Sequence, residues 1–144
     1  MRVCLDTNVL VQAFSHNPAW RPLLDAMVQG RFELVVSNEM MTEYQEVVTR
    51  QSGSARWNLV ESLLSRLFSE HGTLLYIEPH FRFQVITADP DDNKFVDCAI
   101  AAQADFIVTD DEHFGMLRTA GYRPQPIKPA DFIQHFCQPK EPRA

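Results

Sequence analysis

Apolar residues recur along this chain in two rhythms, short unbroken runs and longer stretches spaced three and four apart. Val3-Cys4-Leu5 is a short run that stops at Asp6-Thr7-Asn8, the pattern of a buried first strand. A helix is expected from about Pro18, with Leu23, Leu24, Met27 and Val28 on one face and Gly30 as its stop. Phe32 to Val36 reads as a second strand. Ser37 is placed to cap a helix over about Asn38 to Arg50, with Met40, Met41, Tyr44, Val47 and Val48 inward. Gln51 to Ser54 reads as a loop, Arg56 to His71 as an amphipathic helix, and Leu74 to Ile77 as a short strand.

Glu78 to Asn93 shows neither rhythm, but its Asp89-Pro90-Asp91-Asp92-Asn93 run signals a turn feeding a helix start. The helix that follows, about Lys94 to Ala104, is apolar on nearly every side. Asp105 to Thr109 is the next strand, closed by Asp110-Asp111. A short helix near His113 to Thr119, a proline-rich stretch (Pro124, Pro126, Pro129) around one short strand, and a helix over Ala130 to Phe136 complete the pattern. Strands alternating with helices predict a three-layer α/β/α sandwich on a mostly parallel sheet. With no repeat and no break in composition, residues 1–137 form one expected domain and 138–144 a loose tail.

Composition narrows the class. The chain has 144 residues, 45% hydrophobic and 22% charged, as in an ordinary globular domain. Cys4, Cys98 and Cys137 are odd in number and lack metal-ligand spacing. Cys4 and Cys98 lie in apolar runs, as small buried hydrophobes of a reducing compartment do. A carboxylate at Asp6 precedes any long apolar run, so no signal peptide is expected. No stretch approaches the roughly 18 apolar residues of a membrane span. The expected location is therefore cytoplasmic, with no membrane partner. A net charge of −6 counts against a nucleic-acid binder, unless clustered acids collect divalent cations.

Where the acids fall matters more than their number. Parallel sheets bind ligands beyond the carboxyl ends of their strands, where the strand order reverses. Asp6 ends the first strand and Asp110-Asp111 the fourth; in a sheet ordered 3-2-1-4-5 those strands are neighbours across that point. Either acid alone is equally a turn residue or a helix cap. Asp97 is the single charge in Phe95-Val96-Asp97-Cys98-Ala99-Ile100-Ala101-Ala102, and an ionised carboxylate buried there is costly unless paired or bound to metal. A salt bridge to an arginine, or a response to the helix dipole, would also explain it. Glu43 is indistinct alone, with Glu39 and Glu46 as competitors, but its helix starts directly after the second strand on the same sheet edge.

Taken together, these residues resemble the PIN-domain family. Asp6-Thr7-Asn8 is similar to the family's opening, Ser37 followed six residues later by Glu43 to its second acidic position, and Phe95 to Ala102 around Asp97 to its third. Val108-Thr109-Asp110-Asp111-Glu112-His113-Phe114 resembles the fourth. The Asp89 to Lys94 lead-in is similar to the branch holding the VapC-like toxins of toxin–antitoxin pairs. The likeness spans about Arg2 to Phe136. It implies a Mg²⁺- or Mn²⁺-dependent endoribonuclease, often homodimeric and often silenced by an antitoxin. It carries over Asp6, Glu43, Asp97 and Asp111 as the catalytic and metal-binding acids, with Asn8 and Thr109 supporting. The family's acid falls two places after the threonine, which favours Asp111, with Asp110 assisting or turned away.

Hard divalent cations prefer oxygen donors, and four acids in one crevice repel when empty, so the site is expected to take one or two ions. Asp6 and Asp111 are the first expected ligands, then Asp97, with Glu43 acting through water or orienting the nucleophile. For RNA, Arg50, Arg56, Lys94, Arg118 and Arg123 are candidate phosphate contacts, and Trp57 or Tyr44 candidate base stackers. The five histidines show no ligand spacing and receive no role. A phosphatase of the haloacid-dehalogenase type needs a second aspartate where Asn8 stands and a lysine after a later strand, which Lys128 supplies weakly. A receiver-like domain needs an aspartate after the third strand, where Ile77-Glu78-Pro79 has none. A catalytically inactive PIN fold serving as an interaction module is the remaining alternative; filled acidic positions argue against it.

Overall fold

The computed structural model describes residues 1–79, 92–120 and 123–139. Strand β1 (Arg2–Leu5) leads directly into helix α1 (Thr7–Ala13), a short 3-10 turn (Pro18–Trp20) and α2 (Arg21–Val28). Then come β2 (Glu33–Val36), α3 (Asn38–Ser52), α4 (Ser54–Arg66), a π-helical turn (Leu67–His71) and β3 (Leu74–Tyr76). The second half comprises α5 (Asn93–Ala101), β4 (Phe106–Val108), a 3-10 turn (Glu112–Gly115), α6 (Met116–Ala120), β5 (Gln125–Ile127) and α7 (Pro129–Phe136).

The five strands pair in the order β3-β2-β1-β4-β5, every pair parallel. β1 is central: Val3, Cys4 and Leu5 have no exposure, as expected of a parallel strand covered on both faces. Register and contacts place the layers. Cys4 lies beside Ile107 and Val3 beside Phe106, so by the two-residue alternation of strands Cys4 and Phe106 point to opposite faces. Helix α5 packs on β1, with Cys98 beside Cys4. The Phe106 ring packs on Phe132 and Phe136 of α7, at 6.5 and 5.6 Å between centroids. Helices α5 and α7 therefore cover opposite sides of the sheet, which is the three-layer arrangement.

All three cysteines are buried and reduced. The neighbouring Cys98 thiol, then burial, pushes the Cys4 thiol well above its usual range, and burial lifts Cys137 to about 11.

Ser37 caps α3 as expected, its hydroxyl accepting the Met40 N–H at 3.3 Å. Four local readings differ. α1 is not anticipated by the periodicity, since seven residues are two turns and present too few apolar repeats. Val28 is exposed because α2 starts at Arg21 and ends there. The expected loop at Gln51 to Ser54 shrinks to Gly53, whose φ of 89° turns α3 directly into α4. The helix expected to run to His71 changes to a π-helical turn after Arg66.

Asp89, Asp91 and His80, and residues 140–144 of the expected tail, lie outside the described residues. At the start of that tail, the Gln138 carbonyl accepts a hydrogen bond from Arg31. No helix among the described residues is long and apolar enough to cross a membrane.

Candidate active site

The strand order reverses between β1 and β4. From β1 the chain steps outward to β2 and β3, then crosses back to enter on the other side of β1. The carboxyl ends of these two neighbours carry Asp6 and Thr109. The Asp6 backbone N–H bonds the Val108 carbonyl at 3.0 Å, which fixes the end of the β1–β4 ladder.

Asp6 is 8% exposed and caps α1. One carboxylate oxygen accepts the Thr7 N–H at 2.8 Å, and the other the Thr109 hydroxyl at 2.7 Å. Burial raises its pKa above the usual carboxylate range. The Thr109 and Thr7 bonds oppose that shift, while the charges of Asp111 and Glu43 add to it. No lysine or arginine among the described residues forms an ion pair with Asp6.

Thr109 orders the second acid as well. Its hydroxyl oxygen accepts the Asp111 N–H at 2.9 Å, so a single buried hydroxyl positions both acidic segments. Asp111 then caps the following 3-10 turn, accepting the His113 N–H at 2.9 Å. Asp6 and Asp111 line one open cleft of about 530 Å³ with Asn8, Gln12, Trp20 and Asp110. Asp110 is exposed, and it is Asp111 whose charge reaches Asp6.

Glu43 approaches from α3. The Thr7 hydroxyl bonds one of its oxygens, and Lys94 Nζ lies 2.8 Å from the other. Asp97, 6% exposed on α5, lines a second cavity with Lys94, Ser37, Asn38, Glu39 and Glu78. The four acids therefore divide: Asp6 and Asp111 share the open cleft, Glu43 joins them through Thr7, and Asp97 lines the neighbouring cavity on the Lys94 side.

The remaining candidates separate too. Arg118 lines a cavity of about 230 Å³ with Thr109, Asp110, Asp111 and Lys128, while Arg50 is exposed at the end of α3. Arg56 donates to the Phe14 carbonyl, and Arg123 pairs with Asp105 at 3.3 Å. Lys94 is drawn to Glu43 rather than to open solvent. The stacking role expected of Trp57 or Tyr44 is corrected by burial. Trp57 is 6% exposed, and Tyr44 is fully enclosed with its hydroxyl on the Leu5 carbonyl.

Three residues at the rim lie outside the acidic and RNA-contact sets expected from the sequence. Trp20 lines the open cleft, and Lys128 faces the Arg118 cavity. His113, set aside for want of ligand spacing, has Nδ1 3.2 Å from Asp111 Oδ1 and 3.5 Å from Asp92 Oδ2. These three side chains offer ligand atoms within 4.8 Å of one another. The interval from Asp111 to His113 is a local clue; Asp92 arrives only through the fold.

The donor set suits a hard divalent cation. Asp6 is a buried carboxylate with no paired cation among the described residues, it lines one cleft with a second carboxylate, and their mutual repulsion favours a positive ion there.

Comparison with known proteins bears on the family and the fold. Residues 2–113 match the family model described as PIN domain. Among solved structures, the crystal structure of VapBC2 from Rickettsia felis bound to a DNA fragment from their promoter is similar in fold, with a TM-score of 0.55 and 17% sequence identity over 89% of this chain and 98% of that one. No curated protein matches the sequence.

Proposed function

The chain belongs to the PIN-domain family, whose members are generally nucleases, and from that premise we propose that it is a metal-dependent endoribonuclease acting as the toxin of a toxin–antitoxin pair. The observation that carries this reading is the Asp6–Thr109–Asp111 arrangement, two carboxylates set by one hydroxyl on an open cleft of about 530 Å³.

In this reading Asp6 and Asp111 hold a Mg²⁺ or Mn²⁺ ion, with Asp97 and Glu43 completing the acidic set and Asn8 and Asp110 at the cleft wall. Held by these acids, a divalent ion would supply positive charge against the scissile phosphate and would make water more acidic. The protein's part is placement. Thr109 ties the two acidic segments together, the Thr7 N–H holds one Asp6 oxygen in place, and burial limits bulk water around that carboxylate. Arg118 and Lys128, beside Asp111, attract the RNA backbone, with exposed Arg50 adding to the approach.

The likeness to a VapBC2 structure supports a cognate antitoxin as partner, and the family resemblance supports a homodimer acting on RNA in the cytoplasm. Incubating the purified chain with structured RNA, with and without Mn²⁺, tests the activity. Cleavage that needs the ion and vanishes in Asp111→Ala is the expected result. RNA left intact by the Mn²⁺-loaded wild type removes the nuclease reading and leaves an interaction module.

A further inference from the structure

We propose that Lys94 takes the place of a second divalent cation, so that the acidic crevice binds one metal ion, on its Asp6–Asp111 side. This rests on the nuclease reading above, and concerns how the same site balances its charge.

Both oxygens of Glu43 are engaged. The Thr7 hydroxyl bonds one and the Lys94 ammonium the other, at 2.8 Å. Lys94 and Glu43 are both mostly withdrawn from solvent, at 18% and 26% side-chain exposure, and the ammonium also lies 6.0 Å from the Phe95 ring centroid. An ion pair so placed is screened less than a surface pair.

Lys94 stands three residues before Asp97 on α5, a spacing that sets two side chains on one helix face, and both line the smaller cavity. The positive charge is thus fixed between α3 and α5, on the side of the crevice away from Asp111. A divalent ion approaching Glu43 there must displace an ammonium already on the same oxygen, against the repulsion of like charges.

The open cleft differs. Asp6 pairs with no cation among the described residues, and Asp111 faces it across solvent. The two sides would carry different counter-charges: a covalently attached ammonium at Glu43, in the cavity that Asp97 also lines, and a diffusible ion at Asp6 and Asp111. A lysine holds carboxylates together but cannot acidify water as a divalent ion does, so its place is on the supporting side.

The test is the number of Mn²⁺ ions bound by the metal-stripped full chain, measured by calorimetry and by electron paramagnetic resonance of the free ion. One ion per wild-type chain and two per Lys94→Met chain is the expected result, with Lys94→Arg keeping one. Two ions on the wild type, or one on a folded Lys94→Met chain, overturns the role of Lys94 while leaving the nuclease reading intact. No ion on the wild type overturns both. If Lys94→Met fails to fold by circular dichroism, Glu43→Gln decides the matter. It should still bind one ion with affinity within about threefold of wild type; loss of that ion makes Glu43 a ligand and overturns the proposal.

Discussion

The Thr109 hydroxyl donates to Asp6 at 2.7 Å and accepts the Asp111 N–H at 2.9 Å, so one buried oxygen joins the ends of two neighbouring strands. Valine has threonine's shape without this bridge. Thr109→Val should cost about 1–3 kcal/mol, because both former partners lose a bond in a poorly solvated place. It should also weaken Mn²⁺ binding by about tenfold or more, as loss of a group that orients ligands does. Thr109→Ser should keep both properties near wild type. Urea unfolding and Mn²⁺ calorimetry check this; unchanged Mn²⁺ affinity in the valine variant would show that the hydroxyl does not set the site.

Asp6 makes stability depend on pH in a direction that metal should reverse. Burial first, then the charges of Asp111 and Glu43, raise its pKa in the folded chain. A raised acid pKa means that the folded state holds the proton more tightly. The associated stability is complete below the unfolded pKa and is lost as pH rises through the folded one. In a chelator, Asp6→Asn should therefore be more stable than wild type near pH 7, and the two should converge at about pH 3. With saturating Mn²⁺ the order at neutral pH should invert, since the ion stabilises the ionised carboxylate only. Melting curves from pH 3 to 8 read this directly; an Asp6→Asn curve parallel to wild type throughout would contradict it.

Tyr44 supports the site from beneath. Its hydroxyl donates to the carbonyl of Leu5, the residue before Asp6, and its ring lies 6.5 Å from that of Phe95. Tyr44→Phe should cost about 1–2 kcal/mol, the range for a lost buried hydrogen bond. RNA affinity, read by fluorescence anisotropy on the folded variant, should be unchanged. A large loss of affinity without loss of stability would restore Tyr44 as a base-contacting residue.

Gly53 joins α3 to α4 at φ 89° and ψ 166°, a conformation reserved almost wholly for glycine. A Cβ there meets nothing within 4 Å, so the penalty for a side chain is purely backbone strain. Gly53→Ala should lower stability by about 1–3 kcal/mol at an unchanged denaturant slope. A wild-type midpoint in urea would mean that the two helices tolerate another junction.

The sequence made most of the architecture legible for physical reasons. The runs at Val3, Leu34 and Ile107 are too short for helices and too apolar for an exposed sheet, so they demand central parallel strands. Ser37 announces α3 because a hydroxyl before an apolar periodic stretch has few other uses. Helix α1 stayed hidden because seven residues are too few to show a period. Asp6 both ends its strand and caps that helix, the alternative open to any acid at a turn.

By itself, the sequence determined the fold class, because the burial pattern of short strands alternating with helices is a one-dimensional signal, and the family resemblance nominated the acids. Tertiary structure alone decided how those acids divide. It set Thr109 between Asp6 and Asp111, delivered Lys94 to Glu43 across 51 positions, and brought Asp92 to His113. It also enclosed Trp57, whereas the apolar period of α3 already turned Tyr44 inward. The physical reason is range. Periodicity reports which side of an element faces the core, whereas the partner of a charged side chain depends on atoms that meet only after the layers have packed.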